Sequence, residues 1–132
     1  RPPTVEVELE VLLVRDDERL LLRRRPSKGR MAGLWELPTR ETATDGGEPL
    51  LWPAEWPHPG LEPGEPLGRA KHGITKHRIT ARVRKGDLFT GGGALDPDSG
   101  LAWVPLNTLR DRGLTGMTKK ILRSRAGGGL EV

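Results

Sequence analysis

The sequence of 132 residues predicts a single α+β domain. Two segments, Thr4–Val14 and His77–Arg84, alternate apolar and polar residues with the period of two that is typical of a half-buried strand. Towards the other end, Thr115–Arg125 repeats its apolar residues with helical spacing. Six prolines between positions 49 and 66 exclude a long helix there, because an interior proline costs a helix roughly 3 kcal/mol.

The first part of the chain is predicted to contain two strands and a short extended segment. "RDDER" at 15–19 is a turn signal after the first strand, and "LLLRR" at 20–24 is the expected return strand. A basic loop follows, and "LWEL" at 34–37 forms an extended segment that ends at Pro38. The apolar residues that we expect on the core face of the first strand are Val5, Val7, Leu9 and Val11.

The remainder is predicted to hold two strands and two helices. The proline-rich region leaves room for one short turn near Leu50–Trp56, where tryptophans can cover the core. "HRITARVR" at 77–84 and "LAWVP" at 101–105 are strands, and Pro105 begins a short helix. The side chains expected to face the core from these elements are Ile79, Ala81 and Val83 on the strand, and Met117, Ile121 and Leu122 on the terminal helix.

Composition narrows the classes of protein to which the chain can belong. Hydrophobic residues make up 34%, and 18 glycines with 12 prolines indicate a small core and long loops. The absence of cysteine excludes disulfides, thiolate zinc sites and Cys-ligated iron–sulfur clusters within the chain. No apolar run approaches the roughly 20 residues of a membrane span. Because the chain begins at Arg1 and ends in "AGGGLEV", we expect a piece of a longer protein.

Charge is segregated along the chain. The net charge is +4 with a pI near 10.0, and Lys71–Lys85 holds six Lys or Arg residues and no acid. A second basic run lies at Arg23–Arg30, whereas Glu36–Glu65 holds seven acids and a single arginine. Two interpretations remain open at this point: a basic face that contacts a polyanion, or separate solvated faces. We expect the acids of Glu36–Glu65 to form a solvated, mobile flank.

Four stretches resemble the Nudix-like C-terminal domain of MutY-type adenine DNA glycosylases. They are "LLLRRRPSKGRMAGLWELP" at 20–38, "KHGITKHRIT" at 71–80, "WVPLNTL" at 103–109 and "GMTKKIL" at 116–122. The resemblance implies a Nudix-like fold: a curved mixed β-sheet packed by helices, with the first helix shortened or missing. One sheet is expected to hold Val5–Val14, Leu20–Arg24, Ile79–Val83 and Leu101–Val104. The domain is expected at residues 1–126, followed by a flexible tail at 127–132.

The same resemblance implies a function in base excision repair, namely recognition of 8-oxoguanine opposite adenine. It places the lesion-facing loop at Ile74, Thr75 and Lys76, where the family carries an aromatic residue, Ser and His. The other expected DNA-binding residues are His72, His77, Arg78, Lys28 and Arg30. The implied partners are double-stranded DNA with an 8-oxoguanine:adenine pair and the helical catalytic domain of the same protein, inside the cell and without a membrane.

Catalysis in that family belongs to the helical domain, which also carries an iron–sulfur cluster. The resemblance therefore implies no cofactor, no metal and no catalytic residue within this chain, and an isolated domain that is not an enzyme. The alternatives are a Nudix-type nucleotide pyrophosphohydrolase and a Nudix-like protein-interaction module without catalysis. A pyrophosphohydrolase needs a helix with several carboxylates facing a divalent metal. Taking Glu41 or Glu48 as the first glutamate of that motif puts Pro49, Pro53 or Pro57 at later motif positions.

Overall fold

The structure, a computed structural model, describes residues 4–44, 47 and 49–132, and shows an α+β fold. Arg1 and Glu48, which entered the sequence analysis, lie outside the described residues. The strands are β1 (Val5–Leu13), β2 (Arg15–Asp16), β3 (Arg19–Arg24), β4 (Trp35–Glu36), β5 (Thr39–Thr44), β6 (Leu61–Ile74), β7 (His77–Leu88) and β8 (Leu101–Pro105). The helix α1 spans Gly116–Arg123, and 3-10 helices span Pro97–Ser99, Leu106–Asp111 and Arg125–Gly127.

The main sheet has four strands in the order β5-β1-β7-β6. Strands β1 and β7 are parallel, from Val5 opposite His77 to Leu13 opposite Lys85, and the two outer pairings are antiparallel. The sheet is therefore mixed, as expected. The predicted alternation is confirmed in both central strands, because Val7, Leu9 and Val11 of β1 and the apolar residues of His77–Val83 are buried.

The strands β3 and β8 belong to a second, smaller sheet. β3 pairs with β2, β4 and β8, and the β8 register runs from Arg19 opposite Pro105 to Arg23 opposite Leu101. The expectation that one sheet holds all four predicted strands is therefore wrong. The chain turns at Asp17, whose φ is 53°, so β3 folds back on β2 and does not extend the main sheet.

The long edge strand β6 was not predicted as a strand, because its prolines indicated a loop. Pro63 and Pro66 lie in β6, where the register with β7 shifts on either side of Pro66. A proline donates no ladder hydrogen bond, and an edge strand tolerates this at bulges and on its outward side. β7 likewise runs on through Gly86 and Asp87 to Leu88, beyond the stretch at 77–84 that was predicted as a strand.

The core lies in two clusters. The main cluster joins the inner face of the main sheet to Leu20, Leu22 and Val104 of the second sheet and to α1. On α1 the expected residues Met117, Ile121 and Leu122 are buried. The second cluster holds Leu12, Val14, Leu21, Leu61 and Leu101, with Trp56 and Trp103 packed against it. No helix among the described residues is long and apolar enough to cross a membrane.

The described residues between β5 and β6 contain no α-helix, as the prolines predicted. Trp52 fills the core there with only 2% of its surface exposed. Its Nε1 donates to Oε1 of Glu36 over 3.1 Å, and the backbone amides of Leu51 and Trp52 donate to Oε1 of Glu41. Glu36 and Glu41 are thus buried, and the expectation that the acids of this region form a solvated flank is wrong for both.

Residues 125–132 pack back on α1. The amide of Leu130 donates to the carbonyl of Leu122 over 2.8 Å, and Nε of Arg123 donates to the carbonyl of Val132 over 2.7 Å. Gly127 is buried so closely against Ile121 that a Cβ there would lie 2.1 Å from the Ile121 carbonyl oxygen. The predicted domain boundary at residue 126 and the predicted flexibility of residues 127–132 stay predictions. A flexible tail would have to break the contacts described here.

Candidate nucleic-acid interface

The stretch "KHGITKHRIT" forms the end of the β6–β7 hairpin. Ile74 pairs with His77, so the turn itself consists of Thr75 and Lys76. Both turn residues are exposed, and Thr75 has a φ of 52°. Oγ1 of Thr75 donates to the carbonyl of Ile74 over 2.7 Å. The backbone carbonyl of Lys76 accepts from the amide of Val5 over 2.8 Å, which joins the turn to the start of β1.

The residues next to the turn divide between the two faces of the sheet. Ile74 is half-buried against the main core cluster, and His77 is 6% exposed, with Nδ1 lying 3.4 Å from Oγ1 of Thr75. Arg78 faces outward and lies 3.6 Å from a carboxylate oxygen of Glu6. The structure thus brings Thr75, Lys76 and Arg78 to the surface and directs Ile74 and His77 inward. DNA contacts by these residues stay predictions.

His72 lies beside the first turn of α1. A Cβ on Gly116 would lie 3.6 Å from Cε1 of the His72 ring. Burial, and then the positive charge of Lys120, lower the pKa of His72 below its ordinary value of 6.5. Nζ of Lys120 donates to the backbone carbonyl of Lys71. His72 therefore favours the neutral form at pH 7 in the free domain.

A cavity of about 270 Å³ lies beside this group. It is lined by Glu6, Lys71, His72, Gly73, Arg78, Ile79, Thr80 and Lys120. Four of these residues are cationic or can become so, against one carboxylate. Lys120 was not predicted as part of this group, because "GMTKKIL" shows two adjacent lysines without indicating which one faces the hairpin.

The loop after β3 carries Lys28 and Arg30, and both side chains are exposed. The carbonyl of Arg30 accepts from Nε of Arg25 over 3.1 Å, which closes the loop on itself. At its end, the amide of Trp35 donates to Gly113 and the carbonyl of Trp35 accepts from Thr115. Thr115 is the residue that caps α1. Trp35, just after this loop, and His72, on the strand before the hairpin turn, therefore both lie near the N-terminal end of α1.

The described carboxylates do not fit a divalent-metal site of the kind a pyrophosphohydrolase needs. Across residues 4–44, 47 and 49–132, no group of three or more His, Asp or Glu side chains could hold a metal ion. Oε1 of Glu36 lies 3.1 Å from Arg25, and Oε2 lies 3.5 Å from Arg23 without a hydrogen bond. Asp45 and Glu48 lie outside the described residues.

The chain belongs to the NUDIX domain family, whose model matches residues 10–124. Among solved structures it is similar to a MutT NUDIX hydrolase from Burkholderia pseudomallei, with 21% identity, 89% of this chain and 96% of that chain covered, and a TM-score of 0.61. A NUDIX hydrolase from Nitrosomonas europaea gives 12% identity, coverage of 98% and 92%, and a TM-score of 0.62. No curated protein sequence matches the chain.

The chain is also similar to the C-terminal domain of mouse MUTYH, solved in complex with human PCNA. The identity is 23%, the coverage 90% of this chain and 85% of that chain, and the TM-score 0.57. The expectation that this chain is not an enzyme is corrected by these comparisons. The match covers a full NUDIX domain, and most of the similar structures are named as Nudix hydrolases or MutT proteins.

Proposed function

We propose that this NUDIX domain binds duplex DNA and recognises 8-oxoguanine opposite adenine, as a domain of an adenine DNA glycosylase. The observation that carries the proposal is the hairpin end, where Thr75 and Lys76 are exposed next to a cavity lined by Lys71, Arg78 and Lys120. The similarity to the C-terminal domain of mouse MUTYH supports it at the level of the fold. The same proposal includes a separate helical catalytic domain of the same protein, which carries the iron–sulfur cluster.

The hydroxyl of Thr75 has the chemistry to read the lesion. Its hydrogen is donated to the Ile74 carbonyl, so lone pairs of Oγ1 remain available as acceptors. 8-oxoguanine carries an N7–H donor where guanine has an acceptor, so this oxygen favours the damaged base. His77, at 3.4 Å from the same oxygen, holds the turn from the core side. Ile74, which the resemblance places in the lesion-facing loop, can contact DNA only through the exposed part of its half-buried side chain.

The basic side chains around the turn have the chemistry to bind phosphates. Lys71, Arg78 and Lys120 share one cavity, and their charges outnumber the carboxylate of Glu6. Contacts to phosphates position a protein on DNA without reading its sequence. A base-reading contact and a phosphate contact therefore differ in how their loss changes binding to damaged and undamaged duplexes.

The test is duplex binding by this chain, comparing 8-oxoguanine:adenine with guanine:adenine at several salt concentrations. Arg78→Ala should weaken binding to both duplexes alike and reduce the salt slope by about one unit. Thr75→Ala should lower only the preference for 8-oxoguanine, by on the order of 1 kcal/mol for one hydrogen bond. Arg15→Ala, an exposed arginine on β2, is the matched control. Equal losses on both duplexes for Thr75→Ala would make the turn a phosphate clamp and would reject lesion reading.

A second candidate function is hydrolysis of nucleoside diphosphate derivatives. It is favoured by the NUDIX domain match and by the hydrolase names of most similar structures. The assay measures phosphate or pyrophosphate release from nucleoside di- and triphosphates with Mg²⁺ or Mn²⁺. Release that disappears in Glu41→Gln or Glu48→Gln would support this candidate. Release by wild type that does not exceed a buffer blank, or release that persists unchanged in both variants, would count against it.

A further inference from the structure

A second basic cavity lies on the outer face of the main sheet, away from the hairpin turn. Its volume is about 510 Å³, and its lining includes Glu10, Arg69, Arg82 and Arg84. Arg69 is six residues before Thr75 along β6, which corresponds to about 20 Å at the rise of a strand. The cavity is therefore distinct from the turn, although Lys71, which lines the cavity at the hairpin, is only two residues after Arg69. The proposed function does not use Arg69 or Arg82.

Two arginines face each other directly in this cavity. Arg69 on β6 is the register partner of Arg82 on β7, and directly opposite residues in an antiparallel pair have Cβ atoms about 5 Å apart on the same face. Like charges in this arrangement destabilise the pairing. Among the residues that the structure describes, no acid lies within salt-bridge distance of either side chain.

The acid nearest to the pair along the sheet is already shared. Glu10 lies opposite Arg82 in the register of β1 and β7, but its carboxylate contacts other arginines. Oε1 of Glu10 accepts from Nε of Arg40 over 3.0 Å, and Oε2 lies 3.5 Å from Nη1 of Arg84. Arg84 is held further by donation from its Nε to the carbonyl of Gly64 over 2.8 Å. One carboxylate thus stands among four guanidinium groups.

We propose that Arg69 and Arg82, with Arg84 held beside them, form a binding site for a phosphate group. A phosphate between the two guanidinium groups removes their repulsion and accepts hydrogen bonds from both, since guanidinium groups match phosphate oxygens in bidentate geometry. The ligand class is a phosphate or diphosphate, carried either by a free nucleotide or by a nucleic-acid backbone. The register shift of β6 between Pro66 and Gly68 lies next to this position.

The first experiment uses inorganic pyrophosphate as the probe, with calorimetry and thermal unfolding of the whole chain as readouts. Wild type should bind pyrophosphate, and Arg82→Gln and Arg69→Gln should each raise the dissociation constant about tenfold. Arg15→Gln, an exposed arginine on β2 outside the cavity, should leave it unchanged. Without ligand, Arg82→Gln should unfold at a higher temperature than wild type at low salt, and the difference should shrink as salt screens the repulsion.

The second experiment separates the sources of the phosphate. If Arg82→Gln also weakens duplex binding, and does so equally for damaged and undamaged DNA, the ligand is a nucleic-acid backbone. If it abolishes pyrophosphate binding and leaves duplex binding unchanged, the ligand is a free nucleotide. Either result supports the site. Pyrophosphate that fails to bind wild type at millimolar concentration, or that binds Arg82→Gln and wild type equally, overturns the proposal, whatever the Thr75 variants show at the hairpin.

Discussion

Thr75 has a left-handed backbone conformation, which glycine or asparagine adopts more readily than a β-branched residue does. Its φ is 52°, in the left-handed region that a β-branched side chain rarely adopts. Such a conformation costs on the order of 1–3 kcal/mol, and the hydrogen bond from Oγ1 to Ile74 offsets part of that cost. The position where sequence comparison expects the lesion contact is thus also a strained one, and strain of this kind is concentrated at functional sites.

The strain at Thr75 predicts the effect of substitution on stability. Thr75→Asn should raise the free energy of unfolding by on the order of 1 kcal/mol, because asparagine tolerates the left-handed region. The matched control is Lys76→Gly, which should lower it by roughly 0.5–1 kcal/mol, since the φ of Lys76 is not positive and glycine adds unfolded-state entropy. Urea denaturation measures both. A Thr75→Asn variant less stable than wild type would show that the side-chain contacts outweigh the strain.

His72 predicts a pH dependence of stability. Burial, and then Lys120, lower its pKa in the folded chain below 6.5, so the unfolded chain takes up the proton more readily. The stabilisation is complete above about pH 6.5 and is lost as pH falls through the lowered pKa. His72→Gln should flatten this part of the profile when urea denaturation is repeated from pH 7.5 to 5. If wild type and His72→Gln lose stability in parallel, another group is responsible.

At the scale of elements, a tryptophan clamp stands where a Nudix fold is expected to have its first helix. Trp52 is held by Glu36 at its Nε1 and by Glu41 at its backbone amide. Arg25 stacks over its ring, with the guanidinium carbon 5.1 Å from the ring centroid. Burying two carboxylates is unfavourable unless they are paired, and here Arg25 and the amides of this loop supply partners. The clamp therefore explains why Glu36 and Glu41 are buried.

The clamp predicts an energetic coupling between Glu36 and Trp52. Trp52→Phe removes the indole donor and should cost about 1–3 kcal/mol, because a buried carboxylate oxygen loses a partner. In a Glu36→Gln background the same change should cost less, with a coupling of at least about 0.5 kcal/mol. Trp56 packs on the second cluster, so Trp56→Phe should cost the same free energy in the wild-type background and in the Glu36→Gln background. Strict additivity for Trp52 and Glu36 in urea denaturation would contradict the clamp.

The elements differ in how well the sequence predicted them, and the reasons are physical. Strands with one buried face, β1 and β7, show the period of two and were predicted. Strand β6 is an edge strand whose prolines hid it, because periodicity carries no information about which strand lies at an edge. Burial of Glu36 and Glu41 could not be predicted, since their partners Arg25 and Trp52 come together only in the folded chain.

The candidate site was also predictable only in part, because some of its residues come together only in the folded chain. The turn residues Thr75 and Lys76 were found from the resemblance, and the structure exposes both. Lys120 and the opposed arginines at 69 and 82 depend on the register of β6 with β7 and on the docking of α1. The strand register and the docking of α1 cannot be derived from the local sequence pattern.

At the scale of the whole molecule, the two core clusters share strands and should unfold together. In β3, Leu20 and Leu22 face the main cluster and Leu21 faces the second one. In β1, Val11 and Leu12 divide in the same way. A strand that contributes alternate side chains to both clusters cannot lose one face without disordering the other. The molecule is therefore expected to behave as one cooperative unit.

Leu21→Ala tests this cooperativity, because it removes side-chain atoms from the second cluster only. It should cost about 2–5 kcal/mol, and the loss should be seen equally by a reporter in the main cluster. A Trp56→Phe, Trp103→Phe background leaves Trp35 and Trp52 as fluorescent reporters, both of which pack in the main cluster. Their urea midpoint should fall together with the midpoint from far-ultraviolet circular dichroism.

Leu50→Ala, at a side chain with 51% of its surface exposed, should leave both midpoints in place. Separate midpoints for the two probes in Leu21→Ala would mean that the second cluster unfolds independently of the main sheet.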